Sequence, residues 1–357
     1  MLMVVILSQE SLKRVLVITR HGIRLPLVSF PNDPCTWTCL RQQKLNFQHS
    51  NVPPPNSNLN LVFDVKKSYI GSCFAGQLAD QGFVQHESLS DIWFNLYPNH
   101  FTHQKLRSTT KERVRLSGAG QLQKLNLNLS IVHEASIGFD SLAITNGCPY
   151  EYQYIKYIRE HIDYKKDELN DLRTRSGWKT ASWENFGDNF IAREAMGTEY
   201  PDYVTETDKK LAVDIQDEMW RNMFNNQNES LRKTYLTITS GPFVKDFQKY
   251  LETETFYIVS GHDVTITPLA QFLFVEGQWT KGLPGYASFL NAELWDINGE
   301  EMIKIRFRDG DSGLGQYMKI KPCGDYQCSK KQVFEFMNTI SITNDQQRDM
   351  CQREFQV

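Results

Sequence analysis

The chain has 357 residues, of which 40% are hydrophobic and 23% are charged, so it can bury a sizeable core and is too apolar for an intrinsically disordered protein. Its formal net charge of −3 excludes a global basic field that would attract nucleic acid or an anionic membrane surface. After the N-terminus, no segment reaches the run of about 20 apolar residues that a membrane span needs.

The N-terminus and the cysteines bear on the cellular compartment. The N-terminal apolar run covers only residues 1–7, which is shorter than a signal-peptide core and lacks a basic leader, so it is either a signal remnant or ordinary chain. Two glycosylation sequons, at Asn128 and Asn228, would matter only in a secretory compartment. The seven cysteines are too few for a disulfide miniprotein and lack the Cys-x-x-Cys spacing of a zinc site.

The first element predicted along the chain is a buried strand. Residues 15–19 are apolar and rich in β-branched side chains, which is typical of a strand covered on both faces in a parallel sheet. Residues 28–66 are rich in Pro, Asn and Gln and predict a long excursion with little regular structure. An amphipathic helix is predicted over residues 76–96, because apolar side chains recur there at roughly helical spacing.

The second half of the chain changes from helical to strand character. Charged and aromatic residues interleave over residues 150–233, which predicts a helical insertion. Strand character returns at residues 255–259, and a helix is expected to open near Pro268, since proline fits a first helical turn. The pair Asn298-Gly299 is the strongest short turn signal in the sequence and predicts a β-hairpin over residues 292–309.

The order of these elements predicts two parts. Residues 1–127 and 235–357 are expected to form an α/β core, an open and mainly parallel sheet with helices on both faces. Residues 128–234 are expected to form a mainly helical cap that is inserted into this core.

Three segments place polar side chains at a predicted strand end or helix start: Arg20-His21-Gly22-Ile23-Arg24, Arg107-Ser108-Thr109 and His262-Asp263. In an open α/β sheet, the loops at the carboxyl ends of the strands converge on one crevice, so these segments are expected to share a site. Taken singly, the first is explained by a charged surface turn, the second by a helix cap and the third by a plain turn. The prediction therefore depends on their occurring together.

Arginines and imidazoles around one pocket indicate phosphoryl transfer. The forked guanidinium groups of Arg20, Arg24 and Arg107 match phosphate oxygens two at a time and would form a rigid cradle. Their positive charge would disfavour the imidazolium form of His21, so His21 would keep a lone pair free to attack phosphorus. Gly22 would let the backbone turn sharply beneath the site.

His262 and Asp263 complete the predicted site. His262 would donate a hydrogen bond to the transferred group, and Asp263 would protonate the leaving oxygen and later accept a proton from water. The histidines and the aspartate could instead hold a divalent metal, but three fixed positive charges would oppose a dication. Serine-triad chemistry has little support, because no Gly-x-Ser-x-Gly elbow follows a strand and Ser260 has no identified partner. We therefore predict no metal and no cofactor.

Arg20-His21-Gly22-x-Arg24-x-Pro26 together with Ser260-Gly261-His262-Asp263 resembles the motifs of the histidine acid phosphatases. The segment "RSTTKERVRLSG", which begins at Arg107, is similar to the family's Arg-Ser-Thr-x-x-x-Arg block, and "GQLADQGFVQHESLSDIW" is similar to its Gly-x-Leu-x-x-x-Gly helix. "LPGYAS" and the cysteine-bearing tail resemble the secreted and lysosomal animal branch. The resemblance covers most of the chain and is weakest over residues 28–66 and 150–235.

The resemblance implies a role for each residue of the predicted site. His21 would form a phosphohistidine and Asp263 would be the general acid. The phosphate ligands would be Arg20, Arg24, Arg107 and His262. The resemblance also implies a phosphoglycerate-mutase-like core with a helical cap, no metal, a small phosphorylated substrate, a secreted or lysosomal location with an acid pH optimum, and a possible homodimer.

The resemblance further implies disulfide pairs. The pairs that match family bridges are Cys148–Cys351 and Cys323–Cys328. Cys35, Cys39 and Cys73 have no clear family counterpart, and a Cys35–Cys39 bridge with Cys73 free is our expectation for them. The two family bridges would require folding in an oxidising compartment.

The sequence departs from the animal branch at several positions. Ile23 stands where many members carry aspartate, Gly261 replaces a common alanine, and Phe289 stands where a disulfide cysteine is often found. A broad acid phosphatase is favoured over a phytase or a sugar-phosphate phosphatase, because the basic residues of the predicted cap alternate with acidic ones. A catalytically inactive anion-binding protein on the same fold is the remaining alternative.

Overall fold

The structure is a computed structural model that describes residues 10–37, 39, 73–101, 104–123, 132–134, 140–143, 147–161, 165–311 and 313–355. Three of the sequence predictions lie outside these ranges, namely those for residues 1–7, for the sequon at Asn128 and for most of residues 28–66. Within the described part of the chain, no helix is both long enough and apolar enough to cross a membrane.

The centre of the fold is a mixed β-sheet. Its strands are β1 (Glu10–Arg20), β2 (Gln104–Ser108), β3 (Val132–Glu134), β4 (Phe256–Gly261), β5 (Phe289–Ile297), β6 (Glu300–Arg308), β7 (Gln316–Met318) and β8 (Gln327–Ser329). The strand order is β3-β2-β4-β1-β5-β6-β7, and β8 also pairs with β6. The strands from β3 to β1 pair in parallel, whereas β5 to β8 pair antiparallel.

The predicted α/β class is confirmed, although the sheet is mixed rather than mainly parallel. The cause is the predicted hairpin at Asn298-Gly299, which is present: both residues have a left-handed φ, of 55° and 87°, as a tight two-residue hairpin turn requires. Strands joined by such a turn must run antiparallel. Strand β5 also pairs antiparallel with β1. The hairpin therefore adds antiparallel strands to the edge of the parallel part of the sheet.

Helices cover both faces of the sheet. They are α1 (Asp80–Leu96), α2 (Glu112–Gln123), α3 (Pro149–His161), α4 (Lys166–Ser176), α5 (Trp183–Met196), α6 (Glu206–Phe224), α7 (Glu229–Thr253), α8 (Asp263–Leu273), α9 (Lys330–Asn338) and α10 (Asn344–Cys351). Alternate residues of β1 enter different hydrophobic clusters: Leu16 packs in the cluster that contains α7 and α8, and Val17 packs in the cluster that contains Trp93 of α1. This explains why residues 15–19 are apolar at every position.

The described residues between β3 and α7 include the helices α3 to α6. Helices α5 and α6 pack through a separate cluster that includes Trp183, Phe186 and Ile215, and each begins at a capping box, at Ser182 and Thr205. The exact division between core and cap stays a prediction. Strand β3 belongs to the sheet, and residue 235 lies inside α7.

The helix that follows β4 begins earlier than predicted. It starts at Asp263, and Pro268 lies within it. The Thr265 hydroxyl accepts a hydrogen bond from the His262 backbone amide (2.9 Å), which stabilises a helix start at this point. As a result, Asp263 is the first residue of α8, where the helix dipole stabilises a negative charge.

The two disulfides that the resemblance implies, Cys148–Cys351 and Cys323–Cys328, are present. The expected Cys35–Cys39 bridge is wrong, because Cys39 pairs with Cys73 and Cys35 is the free thiol. All three residues lie in one small cluster around Trp37, so their pairing depends on tertiary packing that sequence spacing does not reveal.

Candidate active site

The parallel pairing of β1 with β4 places two histidines side by side. Arg20 and Gly261 are register partners at the ends of these strands, so His21 and His262 follow at the same edge of the sheet. Their ring centroids are 5.5 Å apart, and the rings are nearly perpendicular. Both side chains are buried, so the two motifs that are distant in sequence form one site.

The loop after β1 is clamped against two helices. A Cβ atom at Gly22 would lie 2.2 Å from the Gly82 carbonyl oxygen of α1, so glycine is required here by close approach of the backbones rather than by a positive φ. The Gly22 amide donates to the Ser117 hydroxyl (3.1 Å), and the Ile23 amide donates to the Gln85 side-chain oxygen (2.9 Å). These contacts hold His21 in a defined position.

His21 has a defined tautomer. Its Nδ1 lies 2.9 Å from the Gly22 carbonyl oxygen, and since a carbonyl only accepts, Nδ1 carries the proton and Nε2 carries the lone pair. Burial lowers the pKa of His21 well below its ordinary value, and the charges of Arg113, Arg20 and Arg24 lower it further. His21 is therefore neutral in mild acid.

Arg20 and Arg24 both lie at the floor of a cavity. Arg20 Nη2 is 2.8 Å from an Asp263 carboxylate oxygen, and Arg24 Nη2 is 2.6 Å from an Asp188 carboxylate oxygen. The Nε atoms of both arginines are buried and have no hydrogen-bond partner within the described structure. Unused guanidinium donors beside a cavity are suited to an anionic ligand.

The third arginine of the floor is Arg113, which the sequence prediction missed. Arg113 is the second residue of α2, it lines the same cavity, and its Nε is likewise buried without a partner in the part of the chain described. Burial and the neighbouring charge of Arg24 lower its pKa to about 10, which still leaves it protonated at neutral pH. A signal was present in the sequence, because Arg113 is the second arginine of the Arg-Ser-Thr-x-x-x-Arg block.

The structure does not bring Arg107 to the cavity. Its guanidinium donates to the Asp246 carboxylate (2.6 Å), the Tyr250 hydroxyl (3.1 Å) and the Ser141 hydroxyl (2.6 Å). The reason is the alternation of side chains along β2: Leu106 packs in the cluster with α1, so Arg107 faces the opposite side, towards α7. The prediction that Arg107 shares a pocket with His21 therefore disagrees with the geometry.

Asp263 and His262 line the cavity next to His21. Burial alone would raise the pKa of Asp263, but the charges of Arg20 and Arg24 outweigh it and hold the pKa below its ordinary value. His262 Nε2 lies 3.1 Å from the Thr109 hydroxyl, and burial together with Arg113 lowers the pKa of His262 to about 3. In the free site, Asp263 is therefore a carboxylate and His262 is neutral.

The cavity has a volume of about 1390 Å³ and lies between the sheet and the helices α5 and α6. Among the described residues, no three His, Cys, Asp or Glu side chains are grouped as a metal site would require. The expectation that no metal or cofactor takes part stays a prediction.

Comparison with known proteins supports the fold. No protein-family model matches the chain. Counting factor 60 of Dictyostelium discoideum is 23% identical over 379 residues, a match that covers 94% of this chain and 87% of that protein. The phytase of Citrobacter braakii superposes with a TM-score of 0.62 at 14% identity, covering 95% of this chain and 99% of that one. The multiple inositol polyphosphate phosphatase of Bifidobacterium longum superposes with a TM-score of 0.57 at 9% identity, covering 94% of each chain. The chain thus has the α/β fold of these phosphatase structures, with a largely different sequence.

Proposed function

We propose that the chain is a histidine acid phosphatase, which hydrolyses phosphate monoesters through a covalent phosphohistidine without a metal. The observation that carries the proposal is the neutral, tautomer-fixed imidazole of His21 on a floor of three arginines, each of which has a buried Nε without a partner in the described structure. The fold shared with phytase and inositol polyphosphate phosphatase structures is consistent with it.

In the first half-reaction, His21 Nε2 attacks phosphorus and the ester oxygen leaves. The new bond is P–N, and the P–O bond to the alcohol breaks. The departing oxygen needs a proton, because an alkoxide is a poor leaving group, and Asp263 is the carboxyl group beside His21 that supplies it. In the second half-reaction, Asp263 takes a proton from water, the oxygen of that water attacks phosphorus, and the P–N bond breaks.

Asp263 must be protonated before it can act as an acid. In the free site it is a carboxylate, since the charges of Arg20 and Arg24 hold its pKa low. A bound phosphoryl group places negative charge among the same arginines, which offsets their effect and raises the pKa of Asp263. At acid pH the substrate also carries one proton, because the second phosphate pKa is about 6, and that proton is available for Asp263. The proposal therefore predicts that the activity is highest at acid pH.

The phosphate ligands that we propose are Arg20, Arg24, Arg113 and His262. Arg113 replaces Arg107 in the set predicted from sequence, because Arg113 lines the cavity with an unused donor and Arg107 does not line it. Three guanidinium groups would neutralise the charge that develops on the equatorial phosphoryl oxygens, which is the main task in phosphoryl transfer.

The test is turnover of p-nitrophenyl phosphate near pH 5 by the wild type and by His21→Ala. We expect the variant to lose at least about 10³-fold in kcat/KM, because the nucleophile is removed. A rapid quench with alkali, under which phosphohistidine survives, should trap one labelled phosphate per wild-type chain and none on the variant. The matched control is His100→Ala, because His100 lies outside the cavity, in the turn that follows α1.

Two outcomes would contradict the proposal. Equal rates for the wild type and His21→Ala would remove the covalent mechanism. A folded wild type that binds inorganic phosphate and turns over no ester would favour the alternative of an inactive anion-binding protein on this fold.

We also propose a secretory location, either extracellular or lysosomal. Three disulfides lie within the described residues, and Asn228 of the second sequon is exposed at the start of α7, where a glycan could be attached. The homodimer and the absence of nucleic-acid binding stay predictions.

A further inference from the structure

The turn over residues 284–288 is fixed against the loop that carries the nucleophile. The Ala287 amide donates a hydrogen bond to the His21 carbonyl oxygen (3.2 Å). The Arg20 amide donates to the Ser288 carbonyl oxygen (2.9 Å). The turn therefore has a defined position relative to the His21 side chain.

This turn contains a strained residue. Ala287 has a φ of 56°, in the left-handed region that favours glycine and costs an alanine free energy. Contacts around the turn enforce the conformation, because Asp309 Oδ1 accepts from the Gly285 amide (2.7 Å) and the Ser288 hydroxyl donates to the Gly285 carbonyl oxygen (2.7 Å). Strain that is maintained by its surroundings is typical of functional sites. The aromatic side chain that the turn brings to the cavity is Tyr286.

The ring of Tyr286 packs against the floor of the cavity. The guanidinium carbon of Arg20 lies 4.4 Å from the ring centroid, which is a cation–π contact. The centroid of the His21 ring lies 5.9 Å from that of Tyr286. The Arg20 guanidinium also donates to the Pro284 carbonyl oxygen and pairs with the Asp263 carboxylate. The tyrosine ring therefore covers one face of a guanidinium whose orientation is already fixed by these contacts.

The hydroxyl of Tyr286 is a donor that the protein leaves unused. The residue is only 7% exposed, and tyrosine hydroxyls in buried positions usually find a hydrogen-bond partner. This hydroxyl is not fully buried and makes no hydrogen bond within the described ranges, so it is open to the cavity that the residue lines. Asp188 raises the pKa of Arg24 most and Tyr286 comes next, which places the phenol oxygen near the Arg24 guanidinium. Burial raises the pKa of Tyr286 despite the charges of Arg24 and Arg20, so the hydroxyl keeps its proton and can donate it in a hydrogen bond.

We infer that Tyr286 is a further phosphate-binding residue, whose hydroxyl donates a hydrogen bond to the bound phosphoryl group while its ring supports the Arg20 guanidinium. This inference rests on the proposed phosphatase function. A neutral hydroxyl stabilises the phosphoryl oxygens without adding positive charge beside Asp263, whose protonation a further cation would oppose.

The experiment separates the hydroxyl from the ring. Binding of inorganic phosphate is measured by titration calorimetry at pH 5, and turnover is measured with p-nitrophenyl phosphate, for the wild type, Tyr286→Phe and Tyr286→Leu. Tyr286→Phe should raise the dissociation constant of phosphate about tenfold and lower kcat/KM at least about tenfold, the usual cost of one lost hydrogen bond to a charged group. Tyr286→Leu should lose several-fold more, because it also removes the ring beneath Arg20.

The matched control is Tyr235→Phe. Tyr235 is a fully buried tyrosine of α7 that does not line the cavity, and its hydroxyl likewise has no partner in the part of the chain described. The dissociation constant of phosphate and kcat/KM should both stay within about twofold of the wild type. Thermal melts should show Tyr286→Phe and Tyr235→Phe folded alike, since neither substitution removes a hydrogen bond within the described residues.

The inference and the proposed function fail in different ways. Equal phosphate binding by the wild type and Tyr286→Phe overturns the inference and leaves the phosphatase function standing, even if Tyr286→Leu binds more weakly, because the ring alone would then account for the tyrosine. A wild type that binds phosphate and hydrolyses no ester removes the phosphatase function, and the calorimetric comparison still decides whether the Tyr286 hydroxyl is a ligand. A wild type that neither binds phosphate nor hydrolyses the ester removes both.

Discussion

Two arginines of one motif, Arg107 and Arg113, have opposite surroundings. Arg107 lies in β2 beneath α7, and three side chains accept its hydrogen bonds. Arg113 lies in the first turn of α2 at the cavity, and its buried Nε has no partner in the described structure. The protein therefore supplies the hydrogen-bond acceptors of Arg107. For the Nε of Arg113, the described residues supply no acceptor.

The comparison teaches that the pairing state of a buried cation is a better guide to ligand binding than its residue type. A buried guanidinium without acceptors costs free energy in the empty protein, and a bound anion recovers that cost. A guanidinium whose buried donors are all paired already gains little from a ligand. The variants below test this difference, starting with the one that we expect to have the largest effect.

Arg113→Ala should lower kcat/KM for p-nitrophenyl phosphate by about 10²–10³-fold, the usual cost of removing one donor that stabilises developing charge. The folded state should be retained, since no acceptor within the described residues loses a partner. Arg113→Lys should recover part of the activity, because it keeps the charge without the planar fork. Steady-state kinetics with a thermal melt measures both effects.

A result in which Arg113→Ala keeps near wild-type activity while Arg107→Ala is inactive and fully stable would reverse the comparison. It would mean that the cavity arginine is structural and that the arginine beneath α7 reaches the substrate after a rearrangement.

Arg107→Leu should act mainly on stability. The substitution removes the donor to the buried Ser141 hydroxyl, which keeps only its longer hydrogen bond to Asp246 (3.4 Å). It also frees Asp246, whose side chain is 37% exposed and can be hydrated. We expect a loss of about 2 kcal/mol in the free energy of unfolding, within the range for hydrogen bonds to charged groups, and a fall in kcat/KM of less than about tenfold. Urea unfolding followed by circular dichroism measures the free energy of unfolding. Assays at urea concentrations well below the unfolding midpoint measure kcat/KM.

The same comparison marks the limit of the sequence prediction. His21 and His262 were predictable, because each follows an apolar run that is typical of a buried strand, and parallel strands present their carboxyl ends at one edge of the sheet. The direction of the Arg107 side chain was not predictable, since shifting the register of a strand by one residue turns every side chain in it to the other face of the sheet. Arg113 lies on a helix beyond the strand end, a place that a search for strand-end chemistry does not reach.

The fold shows a similar division. The hairpin at Asn298-Gly299 was predictable because its turn chemistry is local. Its consequence for the sheet, the antiparallel pairing of β5 with β1, depends on which edge the hairpin joins. The pairing of Cys39 with Cys73 likewise depends on packing around Trp37, so it was out of reach from spacing alone.

Arg24 is intermediate between Arg107 and Arg113 in the pairing of its donors. It allows a test with a smaller expected effect than the two above. Its Nη2 binds Asp188 of α5 at 2.6 Å, while its Nε is unpaired, so a bound phosphate must compete with the Asp188 carboxylate for the same guanidinium. Asp188→Asn removes this competing charge and should lower the inhibition constant of inorganic phosphate by about fivefold, or ~1 kcal/mol, with a smaller change in kcat.

An unchanged or higher inhibition constant would mean that Asp188 chiefly orients Arg24, which it can do because its other oxygen accepts from the Leu27 amide (2.8 Å) and ties α5 to the loop after β1. In that case the ion pair would orient the guanidinium for the phosphate instead of competing with the phosphate for it. The contrast between Arg107 and Arg113 would then hold only for arginines whose partners lie outside the cavity.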